Sequence, residues 1–219
     1  YMTTAWHRFS GDNVLSPALL NNGGLPPAVY DTLTRATPLG LLRDGPRILA
    51  DAGLGSAPLY KMAVSPEMLK SLFMGNVGGC IGETSALLLL AGALFLLFRK
   101  IITWHIPAAY AGTVAAAAAV YYYATGCPCW QMMPLFHLLS GGLVLGAFFM
   151  ATDMVTSPVS RKGMLLFGAG CGIVTFVIRL WGGYPEGVSY AILIMNAFVP
   201  LIDRLTKPRV FGVKEKARP

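Results

Sequence analysis

The chain has 219 residues, 55% of them hydrophobic and 12% charged, with a mean hydropathy of +0.58, a balance that excludes an ordinary soluble surface. The net charge of +7 does not point to nucleic acid, because six of the seventeen basic residues follow Asp203 and no basic stripe is interleaved with aromatics. Cys80, Cys127, Cys129 and Cys171 lie in or beside apolar segments without paired CxxC spacing, which excludes a zinc or ferredoxin-type site and a disulfide framework and leaves free thiols.

In chain order, residues 1–80 come first, rich in Gly, Pro, Asn and Asp, with charges every few residues and no long apolar run. This reads as a water-facing segment. Its start at Tyr1, with no charged leader before a short apolar core, implies the remainder of a longer protein. Asn21-Asn22-Gly23-Gly24-Leu25-Pro26-Pro27 is turn chemistry. Ser65-Pro66-Glu67 predicts a helix start, with Ser as cap, Pro in the first position and Glu against the positive end of the dipole, and Gly75 is its stop. Gly75-Asn76-Val77-Gly78-Gly79 has the glycines of a dinucleotide loop, but no strand precedes it and an apolar helix follows.

Five apolar runs follow, at about 83–98, 105–124, 132–151, 163–181 and 187–203. Each approaches the ~20 residues that a helix needs to cross ~30 Å of hydrocarbon. The expectation is an all-α integral membrane fold: an irregular, partly helical extracytoplasmic segment over 1–80, five transmembrane helices over 81–206, and a basic cytoplasmic tail over 207–219. Small residues at Ala115–Ala119, Ser140-Gly141-Gly142 and Gly168-Ala169-Gly170 let helix backbones approach closely. Arg99-Lys100, Arg161-Lys162 and the cluster Arg204, Lys207, Arg209, Lys214, Lys216 and Arg218 flank the spans, whereas the loops 125–131 and 182–186 carry no lysine or arginine. The positive-inside rule puts the three clusters in the cytoplasm and residues 1–80 outside.

One polar stretch carries chemistry. Thr37 stands between a small Ala36 and Pro38, which disfavours helical geometry in the residue before it. With Asp31, Thr34 and Ala36, Thr37 completes a pattern that resembles the flavinylation motif Asp-x-x-Ser/Thr-x-Ala-Thr of the Rnf and Nqr flavoproteins. The chain has Thr32 and Arg35 where that family usually has Gly and a small or polar residue. Further blocks resemble the RnfD-type membrane components of Rnf complexes: Gly75–Gly79 with Ile81-Gly82-Glu83-Thr84-Ser85, Trp104–Pro107, His137–Gly141, Gly146–Phe149 with Thr152-Asp153, Gly182–Gly187 and Lys207–Gly212.

The resemblance implies FMN joined through its phosphate to Thr37 by a flavin transferase, and it admits a second, non-covalent flavin. It further implies a bacterial or archaeal cytoplasmic membrane and a complex passing electrons between ferredoxin and NAD while moving Na⁺ or H⁺. The partners implied are a second covalent-FMN subunit, iron–sulfur membrane subunits and the lipid bilayer, with no nucleic acid. The chain would then have no independent activity and no complete flavin and ion pathway by itself. An NqrB-like component of a Na⁺-translocating NADH:quinone reductase is the alternative within that class; a non-redox secondary transporter is the alternative outside it.

Ionisable residues at membrane depth are kept only with partners or water. Glu83 at the mouth of the first span, after Gly75, Gly78, Gly79 and Gly82, is the leading candidate for a flavin or ion site, ahead of Asp153 and Asp203 at the other ends of the third and fifth. No metal site is expected. His105 and His137 read as packed imidazoles, and Arg179 and Glu186 as a pair across the 182–186 loop.

Overall fold

The computed structural model describes residues 38–40, 42, 43, 46, 60, 61, 63–75, 85–183 and 186–206. Among the described residues every element is helical, as the sequence predicts. Asp31, Thr34, Ala36 and Thr37, Cys80, Glu83 and the tail after Thr206 lie outside them.

Helix α1 (Pro66–Met74) starts and stops where its sequence dictates. The Ser65 hydroxyl accepts the Met68 N–H at 3.2 Å, Pro66 occupies the first turn, and Gly75 closes the helix at φ 94° by donating to the Ser71 carbonyl. Only glycine suits that position, because a Cβ there would also lie 2.8 Å from the Cβ of Ser85. Ser85 in turn caps α2 (Ala86–Phe98), whose 13 residues rise about 20 Å, less than a membrane's hydrocarbon.

By length and composition two helices are apolar and long enough to cross a membrane, α6 and α7 (their ranges are Arg161–Trp181 and Val188–Leu205), and a bent pair makes a third if it counts as one span. Helix α3 (His105–Ala124) has the length, but its histidine, proline and four tyrosines dilute its hydropathy. The bent pair is the run read from sequence as a single span at 132–151. It divides into α4 (Met133–Leu139) and α5 (Leu143–Leu145), which passes into a π-helical turn (Gly146–Met150), with 68° between the two parts. Ser140 leaves helical geometry at φ −90°, ψ 140°, and Gly141 has φ +68°. A left-handed glycine cannot continue a right-handed helix, so the small-residue triplet breaks the rod as well as permitting close packing.

Glycines on α6 set its contact with α3. A Cβ on Gly168 would lie 2.7 Å from the Ile106 carbonyl oxygen, and one on Gly172 would lie 2.8 Å from the Thr113 Cβ, so the two backbones nearly touch. The Tyr110 hydroxyl and Thr175 Oγ1, 2.5 Å apart, join the same two helices deeper in the bundle. A core of Ile106, Tyr110, Val114, Leu143, Ala147, Phe167 and Val188 fills the middle. A second core joins Met133, Phe136, Tyr122 and Phe176 of the bundle to Leu39, Leu42, Met68 and Leu72, so the segment preceding the spans is packed onto one end of them.

Candidate functional site

That second core borders a half-open cavity of about 270 Å³, lined on the bundle side by Tyr121, Tyr122, His137, Arg179, Leu180 and Trp181. Leu39, Leu42, Arg43, Pro46 and Tyr60 line the other side. Leu39 stands two residues after Thr37, so the wall is built by the chain that directly follows the motif threonine. The aromatic rings are in mutual contact: Tyr121 lies edge-on to Tyr122 at 5.2 Å and to Trp181 at 6.1 Å between centroids, and Tyr60 lies edge-on to Tyr122 at 6.1 Å. Such walls offer π-faces and edges to a planar guest.

The polar groups around the cavity are organised by the helix break. Breaking a span leaves backbone carbonyls without helical donors, and unsatisfied carbonyls in hydrocarbon are costly. Arg179, in the last turn of α6 and 2% exposed, supplies donors. Its Nη1 donates to the His137 carbonyl at 2.6 Å and its Nη2 to the Ser140 carbonyl at 3.1 Å, while Nε donates to the Glu186 carbonyl at 3.4 Å. A planar fork with five N–H groups suits this task where a lysine ammonium does not. The expected meeting of Arg179 with Glu186 is thus found, through the backbone oxygen of Glu186. Leu39 completes the arrangement, since a Cβ at Gly141 would meet Arg179 Nη2, Glu186 Cγ and Leu39 Cδ2 at 3.5–3.6 Å. One guanidinium therefore stands at the junction of the broken span, the α6–α7 loop and the segment after Thr37.

His137 lines the cavity at 1% exposure, with its Nε2 3.2 Å from the Tyr122 hydroxyl and its Nδ1 without a partner. The neighbouring Ser140 hydroxyl is likewise buried and unpartnered. His137 is a packed, hydrogen-bonded imidazole, as its sequence context suggests, yet it also leaves buried polar capacity unused.

The two described carboxylate candidates lie at the opposite end of the bundle from this cavity. Asp153 is exposed and accepts from the Val155 N–H at 3.5 Å and the Thr156 hydroxyl at 3.3 Å, a local turn. Asp203 accepts the Val159 N–H at 3.2 Å, and Ser160 donates to Thr206 Oγ1 at 2.7 Å, so both tie the end of α7 to the loop before α6. Cys127, Cys129 and Cys171 are free thiols, and burial pushes the Cys127 thiol above its usual range, which keeps it protonated and unreactive. Among the described residues no group of three or more His, Cys, Asp or Glu is placed to hold a metal ion.

The sequence reading missed Tyr121, Tyr122, Trp181 and the bond between Arg179 and the break. One signal was present: an arginine four residues after a threonine in an apolar helix needs buried acceptors, and Ser140-Gly141-Gly142 is where a span would release them.

A family model described as the NQR2, RnfD, RnfE family matches residues 1–212. Over 93% of its length the chain is 42% identical to the D component of the proton-translocating ferredoxin:NAD(+) oxidoreductase complex of Clostridium ljungdahlii, covering 63% of that protein. It is 43% identical, over 93% of its length and 60% of the relative, to the D component of the Na(+)-translocating ferredoxin:NAD(+) oxidoreductase complex of Acetobacterium woodii. A match to the D component of the ion-translocating oxidoreductase complex of Stutzerimonas stutzeri is 46% identical over 88% of this chain and 52% of the relative. The chain therefore spans between half and two thirds of the length of these relatives.

Proposed function

The chain belongs to the NQR2, RnfD, RnfE family, and from that premise we propose that it is part of a membrane subunit of a ferredoxin:NAD ion-translocating oxidoreductase. It relays electrons through FMN held covalently by Thr37, in a complex that moves Na⁺ or H⁺. The observation that carries this reading is that the chain following the Asp31–Thr37 motif in sequence supplies, from Leu39 on, one wall of an aromatic, partly polar pocket. FMN supplies one-electron chemistry at its ring, and attachment through the phosphate leaves that ring unmodified. The chain's own residues anchor, orient and shelter it: Thr37 gives the ester oxygen, Asp31, Thr34 and Ala36 present that oxygen to a flavin transferase, and the bundle excludes water. The residues present fit the group, because π-faces, two arginines and an imidazole line the cavity.

In this reading the five apolar runs are all spans, α2 and α3 crossing within an assembly of further membrane subunits that includes a second covalent-FMN subunit and iron–sulfur subunits. Residues 1–80 then face outward and the tail faces the cytoplasm of a bacterial or archaeal cell. Full-length protein made with an active flavin transferase should carry the FMN mass on the Thr37 peptide, and Thr37→Ala should abolish it while Thr34→Ala only reduces it. A flavin attached elsewhere and indifferent to Thr37→Ala would end this reading. A broken span is also how secondary transporters build substrate sites, so unmodified protein would favour the transporter reading.

Glu83 is the proposed ion-coupling carboxylate, ranked above Asp153 and Asp203 because those two satisfy nearby backbone and hydroxyl donors at the far end. Glu83→Gln in the assembled complex should reduce ion transport at unchanged expression, and wild-type transport would dismiss the assignment.

A further inference from the structure

The size and walls of the cavity carry one step more. At about 270 Å³ it lies just below the ~300 Å³ at which sites for whole small molecules begin, so it takes a ring system and leaves any long polar arm outside. Its bundle side presents three aromatic side chains and an imidazole beside Arg179 and Leu180, from two different helices and the end of a third. Its polar groups converge where His137 keeps an unpartnered Nδ1 and Arg179 crosslinks the break. Its remaining side is the chain that follows Thr37. A planar heteroaromatic ring with acceptor atoms, delivered from that side by a polar arm, matches each of these features.

We propose that this cavity is the seat of the isoalloxazine ring, with Tyr121, Tyr122 and Trp181 as its aromatic walls and His137 as its hydrogen-bonding partner. Arg179 is then a positioning residue: it holds His137, Ser140 and the Glu186 loop in one frame and so fixes the walls relative to the tether. The proposal rests on covalent FMN at Thr37, but it assigns the other end of the molecule, and its failure is separable from failure of the attachment.

An electron-rich phenol or indole in contact with a flavin quenches its emission by electron transfer, so the native, tethered flavin is dark and brightens when the protein is denatured. The test uses full-length protein made with flavin transferase, with attachment measured by mass and emission measured before and after denaturation. Trp181→Leu, at an exposed position that folding tolerates, and Tyr121→Leu should raise native emission severalfold at unchanged attachment, and His137→Gln should shift the flavin absorption bands. Tyr123→Leu, on the neighbouring aromatic that does not line the cavity, should change neither. Flavin attached to Thr37 whose emission and absorption ignore Trp181→Leu, Tyr121→Leu and His137→Gln places the ring elsewhere and overturns the seat alone. Wild-type protein without attached flavin overturns the seat and the attachment together.

Discussion

Tyr110 shows how one hydroxyl is valued inside this bundle. It is fully buried, and its only described hydrogen bond is to Thr175, also fully buried. Tyr110→Phe removes that bond and strands the threonine hydroxyl, which in a soluble core costs ~1–3 kcal/mol. A helical threonine has a second option, the carbonyl four residues back, which Thr113 already uses at Ala109 with a 2.7 Å bond. The expected loss is therefore nearer the ~0.6 kcal/mol average of hydrogen bonds between membrane helices than the upper figure. Thermal unfolding of Tyr110→Phe, Thr175→Val and the double variant in detergent measures it; a coupling of ~2 kcal/mol or more would mean that Thr175 has no such escape. The same test separates an ordinary packed hydroxyl from Thr37, whose substitution should leave stability unchanged and remove the cofactor.

The broken span depends on a residue from another helix. Arg179→Lys keeps the charge, but a single ammonium on a flexible stem cannot reach the carbonyls of His137, Ser140 and Glu186 together. Losing one partner of a buried charged network costs ~3–5 kcal/mol, and the lysine should recover only part of that. Amides between 140 and 146 should exchange faster with solvent in Arg179→Lys while those of the α3–α6 contact stay protected; uniform protection would show that Gly141 alone maintains the bend. This also explains what was legible in sequence. Local signals were sufficient for α1, whose Ser65, Pro66 and Gly75 act within one turn of themselves, and for α6 and α7, whose apolar runs match the observed ends within a few residues. The run at 132–151 has the composition of a span, and nothing within it says that Gly141 takes a positive φ. That outcome depends on Arg179, nearly forty residues later, meeting the released carbonyls. The cavity was illegible for the same reason: Tyr121, Trp181 and Leu39 belong to separate segments, and only the Thr37 end of the site has a local motif.

For the whole molecule the remaining question is which way the bundle stands in the membrane, since the cavity and the described residues between Pro38 and Gly75 share one side. The described contacts put the α3–α4 and α6–α7 loops at that end with Tyr122, His137 and Arg179, and they put Asp153, Ser160 and Thr206 at the other. Basic residues follow the same division. Arg99, Lys100, Arg161, Lys162 and Arg204 all stand at the Thr206 end, and the loops at the Trp181 end have none. Lysine and arginine in short loops close to span ends set orientation, whereas the charges of a long segment count for little, so Arg8, Arg35 and Arg43 do not oppose this assignment. The Thr206 end is therefore expected in the cytoplasm and the cavity end outside. A cysteine introduced at Gly24 in full-length protein lacking the native thiols should react with an impermeant maleimide in intact cells, and one at Lys214 should react only after lysis. If Lys214 is labelled from outside and Gly24 is not, the bundle is inverted, and the flavin proposed at Thr37 would have to exchange electrons on the cytoplasmic side.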